Sequence, residues 1–118
     1  MLKLLFVDDD PEEIGLIKEI FEGEGYIVFV AYNRNDAIKV AKEHPEIVVS
    51  TIDGLDGDGV LLVKEMIAQG LGGKLIACSC HQTINDHLCE AGCVTSVHKL
   101  EGIDELINRV KNIVSEPS

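Results

Sequence analysis

The sequence predicts a single doubly wound α/β domain: a parallel five-stranded sheet with helices on both faces. Two observations predict it. Five short apolar or β-rich runs alternate with five stretches of helical periodicity, the pattern of repeated strand–helix–strand units. The first and third runs, Leu2–Val7 and Ile47–Ile52, are nearly continuous rather than alternating, as expected for strands buried on both faces.

Taken in order, Leu2–Val7 is the first strand, ending in Asp8, Asp9 and Asp10. Pro11 then fits the first position of a helix, and the surrounding acids suit a helix N-terminus. Ile14, Ile17 and Phe21, with Leu16 and Ile20 beside them, form its apolar stripe, and Gly23 and Gly25 stop it. Tyr26–Ala31 reads as the second strand. Asn33 or Asn35 caps a helix through about Glu43, and Pro45 ends it. The Ile47–Ile52 strand runs into the loop Asp53, Gly54, Leu55, Asp56, Gly57, with Asp58 as N-cap of the third helix. That helix carries Val60, Leu61, Val63, Met66 and Ile67 as apolar residues, and Gly70, Gly72 and Gly73 break it. Lys74–Ser79 is the fourth strand, Thr83–Glu90 a short fourth helix closed by Gly92, and Cys93–His98 the fifth strand. Ile103, Leu106, Ile107, Val110, Ile113 and Val114 give the last helix the clearest periodicity of all. The domain is expected over 1–115, with a tail at 116–118.

Composition narrows the function. A 118-residue chain is one ordinary domain, and 46% hydrophobic content indicates a folded globule. A net charge of −11 argues against direct nucleic-acid binding, which needs clustered Lys and Arg. Lys3, Asp8 and Lys18 interrupt the N-terminal region, so no membrane span or signal peptide is readable there. With no export signal, a reduced cytoplasmic setting is expected for Cys78, Cys80, Cys89 and Cys93. Their spacing matches no paired C-x2-C framework, so they read as core filler. With His81, His87 and His98 they leave open a small-ligand, soft-metal or redox module. No Ser-His-Asp arrangement, P-loop or dinucleotide fingerprint is present, so no enzyme activity is expected.

In a doubly wound sheet, chemistry sits at the carboxyl ends of the strands. Those tips carry Asp8 and Asp9, Thr51, Ser79 and Lys99. Two adjacent carboxylates repel, and a hard cation such as magnesium, or a nearby ammonium, relieves the repulsion. The hydroxyl of Ser79 could donate to a phosphoryl oxygen. The set is one for oxyanion and magnesium chemistry.

Over almost its whole length the chain resembles the response-regulator receiver domains of two-component signalling. The matching pieces, in order, are Phe6-Val7-Asp8-Asp9-Asp10, His44-Pro45-Glu46-Ile47-Val48-Val49, Asp58-Gly59, Ser79, Ala91-Gly92-Cys93 and Lys99. The resemblance implies a flavodoxin-like (βα)5 fold with strand order 2-1-3-4-5. It makes Asp8 and Asp9 the magnesium-binding pair, Ser79 the sensing hydroxyl and Lys99 the sensing lysine. The aspartate that accepts a phosphoryl group in such domains falls here on Thr51, counted forward from His44-Pro45-Glu46 or backward from Asp58-Gly59. A threonine hydroxyl is a poor nucleophile without a base, cannot form an acyl phosphate, and gives a cation no charge.

Other departures run the same way. Gly54-Leu55 replaces the usual Met-Pro pair, Leu100 the proline after the lysine, and Ser96 the aromatic switch residue. The interval from Ser79 to Lys99 is also short. The chain therefore reads as an atypical, or pseudo-, receiver: a phosphorylation-independent protein-interaction module. Its expected partner is a histidine kinase or effector, or a second copy, met through the fourth helix, fifth strand and fifth helix. Asp53 is the alternative. Two residues past Thr51, it points the same way along an extended chain. It could serve as a substitute phosphoacceptor with magnesium on Asp8 and Asp9, or join them in a weak magnesium site.

Overall fold

The computed structural model describes residues 1–115; the tail expected at 116–118 lies outside the described residues. The chain alternates β1 (Lys3–Val7), α1 (Pro11–Gly23), β2 (Ile27–Ala31), α2 (Arg34–Glu43), β3 (Ile47–Ile52), α3 (Asp58–Gln69), β4 (Lys74–Ser79), α4 (Gln82–Ala91), β5 (Thr95–His98) and α5 (Ile103–Ser115). All strand pairs are parallel, in the order β2-β1-β3-β4-β5. This is the expected doubly wound, flavodoxin-like fold.

Residue alternation along the strands divides the core in two. Leu4 and Phe6 of β1 pack with Val49, Ile76 and Val97 against Ile14 and Phe21 of α1 and Leu106, Val110 and Ile113 of α5. Leu5 and Val7 pack with Ile52, Leu75 and Ala77 against Ala37 and Ala41 of α2, Leu62, Val63 and Met66 of α3, and Leu88 of α4. Each Leu, Ile, Val, Phe or Met among these, removed from water, contributes about 1.5–3 kcal/mol before conformational entropy is set against it. Helices therefore cover both faces, and the carboxyl tips of β1, β3 and β4 are left as the open end.

Caps explain most boundaries. Asp10 caps α1, its Oδ1 accepting from the N–H groups of Glu12 and Glu13 at 3.0 and 3.4 Å. Asn33, rather than Asn35, caps α2 by accepting from the Asp36 N–H at 2.9 Å. Asp58 is not the cap expected for α3. It is the first helical residue, and Gly57 takes the cap position at φ +102°, a conformation open to glycine. The preceding Leu55–Gly57 forms a 3-10 turn that the sequence pattern did not separate from loop. The fourth helix is one residue longer at each end than expected. The fifth strand begins at Thr95, not Cys93, because the Cys93 N–H is taken by Leu88 O in the wrap that ends α4. The first and second strands begin one residue later than expected, and helix α5 continues through Ser115.

Candidate functional site

The tips of β1, β3 and β4, with the turn after β5, converge on an open bowl of about 270 Å³ at the sheet's carboxyl end. Asp8, Asp9, Asp53, Ser79 and Lys99 line it, together with Glu13 and Ile84. At its centre is the Lys99 ammonium. It lies 2.9 Å from Asp8 Oδ2, 2.9 Å from Asp53 Oδ1 and 3.2 Å from Glu13 Oε1. The remaining oxygens are held by backbone. Asp8 Oδ1 accepts from the Asp10 N–H at 3.0 Å, and Asp53 Oδ2 from the Leu55 N–H at 3.1 Å.

Burial pushes the Asp8 carboxyl above its ordinary range, while the hydrogen bonds from Lys99 and the Asp10 N–H pull it back only in part. Burial also opposes the charge on Lys99, but its hydrogen bonds to Asp8 and Asp53 and their negative charges outweigh it. The ammonium is held well above its usual value. Lys99 is thus a fixed cation among carboxylates.

Thr51 sits beneath this network, 5% exposed, paired in the sheet with Phe6 and Ile76. The crevice between it and Asp8, Asp53, Cys78 and Lys99 is about 10 Å³. That is room for about one water. The two residues expected to share a face, Thr51 and Asp53, do share it, and the longer-reaching carboxylate takes the space facing Lys99.

The Gly54-Leu55 departure accounts for this placement. Leu55 adopts φ +49° and donates its N–H to Asp53. A proline at that position is locked near φ −65° and has no N–H, so it could do neither.

Ser79 is buried at the end of β4, and its Oγ accepts from the His81 N–H at 3.1 Å. The side chain of Asn85, fully buried on α4, donates to Ser79 O at 3.1 Å. Ser96 does not reach the bowl. It pairs with Ala77 in the sheet, and its side chain meets the Cys89 thiol. Glu13 and Asn85 were missed by sequence reasoning. Glu13 was legible only as a first-turn acid of α1, and Asn85 as a polar residue in a short helix.

Among the described residues, the cluster with carboxylate, thiol or imidazole atoms close enough to share a metal ion is Asp8, Asp9 and Asp53, within 4.8 Å of one another. Hard oxygen donors of this kind fit Mg2+. Lys99 already engages one oxygen of Asp8 and one of Asp53, so any Mg2+ bound here competes with an ammonium and is held weakly. Among the described residues, no such cluster contains a cysteine or a histidine. Cys78 and Cys93 are buried, and burial pushes both thiols up to about 12. Such thiols are poor metal ligands and poor nucleophiles.

Comparison with known proteins fits this geometry. The sequence model of the response regulator receiver domain matches residues 4–111. Sporulation initiation phosphotransferase F of Bacillus subtilis (strain 168) is 31% identical over 112 residues, covering 92% of this chain and 90% of that protein. The receiver domain of the Francisella response regulator 1452 superposes with a TM-score of 0.83 at 27% identity, over 96% of each chain. The response regulator protein TrrA of Thermotoga maritima, solved in complex with Mg2+ and BeF, gives 0.83 at 26% identity over 96% of this chain and 99% of that one.

Proposed function

The chain belongs to the response regulator receiver domain family of two-component signalling, and from that premise we propose that it works as a pseudo-receiver. On this reading it is a signalling module rather than an enzyme, acting in the cytoplasm by binding a protein partner without being phosphorylated. The observation that carries the reading is the filled crevice beside Thr51, beneath the open bowl. Thr51, to which the resemblance assigns the phosphoacceptor position, has about 10 Å³ beside it, and Lys99 is already paired with Asp8 and Asp53. A hydroxyl in that crevice has no base among its lining groups that is not engaged by Lys99 or the backbone.

The alternative acceptor, Asp53, has both oxygens occupied, one by Lys99 and one by the Leu55 N–H. It stands in for the missing carboxylate as a charge and is spent on holding Lys99. Asp8, Asp9 and Asp53 would hold Mg2+ when it binds, and the ion would neutralise charge at the mouth of the bowl.

The partner is a histidine kinase, an effector or a second copy, and the face proposed for it is that of α4, β5 and α5. Leu100, 84% exposed, lies in the Lys99–Glu101 turn between β5 and α5. Partner capture with purified protein, with and without Mg2+ and acetyl phosphate, tests the reading. Equal affinity in both arms is expected; binding that appears only with the phosphodonor overturns it.

A further inference from the structure

One contact ties the loop carrying Asp53 to the start of α4, and a second ties that start to the end of β4. Gly54 is buried against Ile84, so closely that a Cβ built on Gly54 would lie 2.8 Å from Ile84 Cγ2. Ile84 itself lines the bowl with Asp53, Ser79 and Lys99. One residue on, Asn85 donates to Ser79 O from a fully buried position. Only Cys80 and His81 separate β4 from α4, and the His81 N–H is taken by Ser79 Oγ. The β3–α3 loop and the β4–α4 loop are therefore braced by two consecutive residues of one helix turn.

We propose that Ile84 and Asn85 are positioning residues. Ile84, seated in the space left by Gly54, holds the β3–α3 loop so that the Asp53 carboxylate stays on Lys99, and Asn85 holds Ser79 on the opposite wall. Glycine at position 54 is required by this seat, not by its backbone angles, which are helical at φ −65° and ψ −27°. Any side chain there must push Ile84, and with it the start of α4, away from the bowl. The coupling is mechanical and holds whether or not the site accepts a phosphoryl group, so it fails or survives separately from the proposed function.

The test is hydrogen exchange on the wild type and on Ile84→Ala, Ile84→Val and Gly54→Ala, without phosphodonor, alongside the NMR signal of the Lys99 ammonium. Ile84→Ala should speed exchange of the Leu55, Gly57 and Gly59 amides by about tenfold and weaken the ordered Lys99 signal, leaving β1 amides protected. Ile84→Val, which keeps the branch facing Gly54, should restore both. Gly54→Ala should loosen the same loop and the first turn of α4 together. Loop exchange and a Lys99 signal that remain as in the wild type in both Ile84→Ala and Gly54→Ala would overturn the coupling. So would uniform loosening of the whole domain with no rescue by valine.

Discussion

The two walls of the bowl are built on different physics. On one side, Asp8, Asp53 and Glu13 surround Lys99 at 2.9–3.2 Å, and Coulomb attraction and burial are balanced against each other. On the other, Ser79 is fixed by Asn85, and Gly54 by Ile84, through a neutral hydrogen bond and van der Waals fit. The charged wall responds to pH and cations, whereas the packed wall has no titratable group in its contacts. The charged wall is satisfied internally by the Lys99 ion pairs, and the packed wall is braced by Ile84 and Asn85.

Each wall has its own substitutions to test it, and the largest effect is expected on the charged one. Lys99→Met leaves Asp8 and Asp53 facing each other, partly shielded by solvent, and should cost about 2 kcal/mol in urea unfolding without divalent ions. Added Mg2+ should stabilise this variant more than it does the wild type, because the competing ammonium is gone. An equal Mg2+ response in both would mean that Lys99 does not compete for the ion.

Thr51→Asp adds a fourth carboxylate beside Asp8, Asp9 and Asp53. Calorimetric titration should show Mg2+ binding at least about tenfold tighter than in the wild type. No gain would place position 51 outside reach of the cluster.

On the packed wall, Asn85→Ala should cost about 1 kcal/mol, since one buried hydrogen bond is lost while the unpaired Asn85 Oδ1 goes with it. Its Mg2+ response should match the wild type, because no charge has changed. A shifted response would merge the two walls into one network.

The smallest effect is a pH dependence. The folded-state pKa of Lys99 lies above its ordinary 10.5, so its contribution is fully present below that value and is lost as pH rises beyond it. The stability gap between wild type and Lys99→Met should stay flat from pH 8 to about pH 10 and shrink above it. A gap that widens with alkali would reverse the sign of the coupling.

The fold was legible because it rests on periodicity. Continuous apolar strands and the stripe of α5 depend on local sequence alone, and strand order followed from the family resemblance. The residues at the strand tips were legible for the same reason: Asp8, Thr51 and Ser79 close strands whose ends the pattern fixes, and Lys99 follows β5 directly. Contacts between distant loops were not. Nothing in the spacing of Gly54 and Ile84 says that one fills the space left by the other. Nor does it say that Leu55 would take a positive φ and turn its N–H on Asp53. Asp58 looked like a cap by residue type, but the turn at Leu55–Gly57 brought Gly57 to that position first. Nor does the spacing say that the side chain of Ser96, counted to the switch position, meets Cys89 on α4.

Intact-mass measurement of the wild type incubated with Mg2+ and acetyl phosphate tests the filled crevice beside Thr51 most directly. The wild type should keep its mass. A phosphoryl group on the wild type, at Asp53 or any other side chain lining the bowl, would contradict the account.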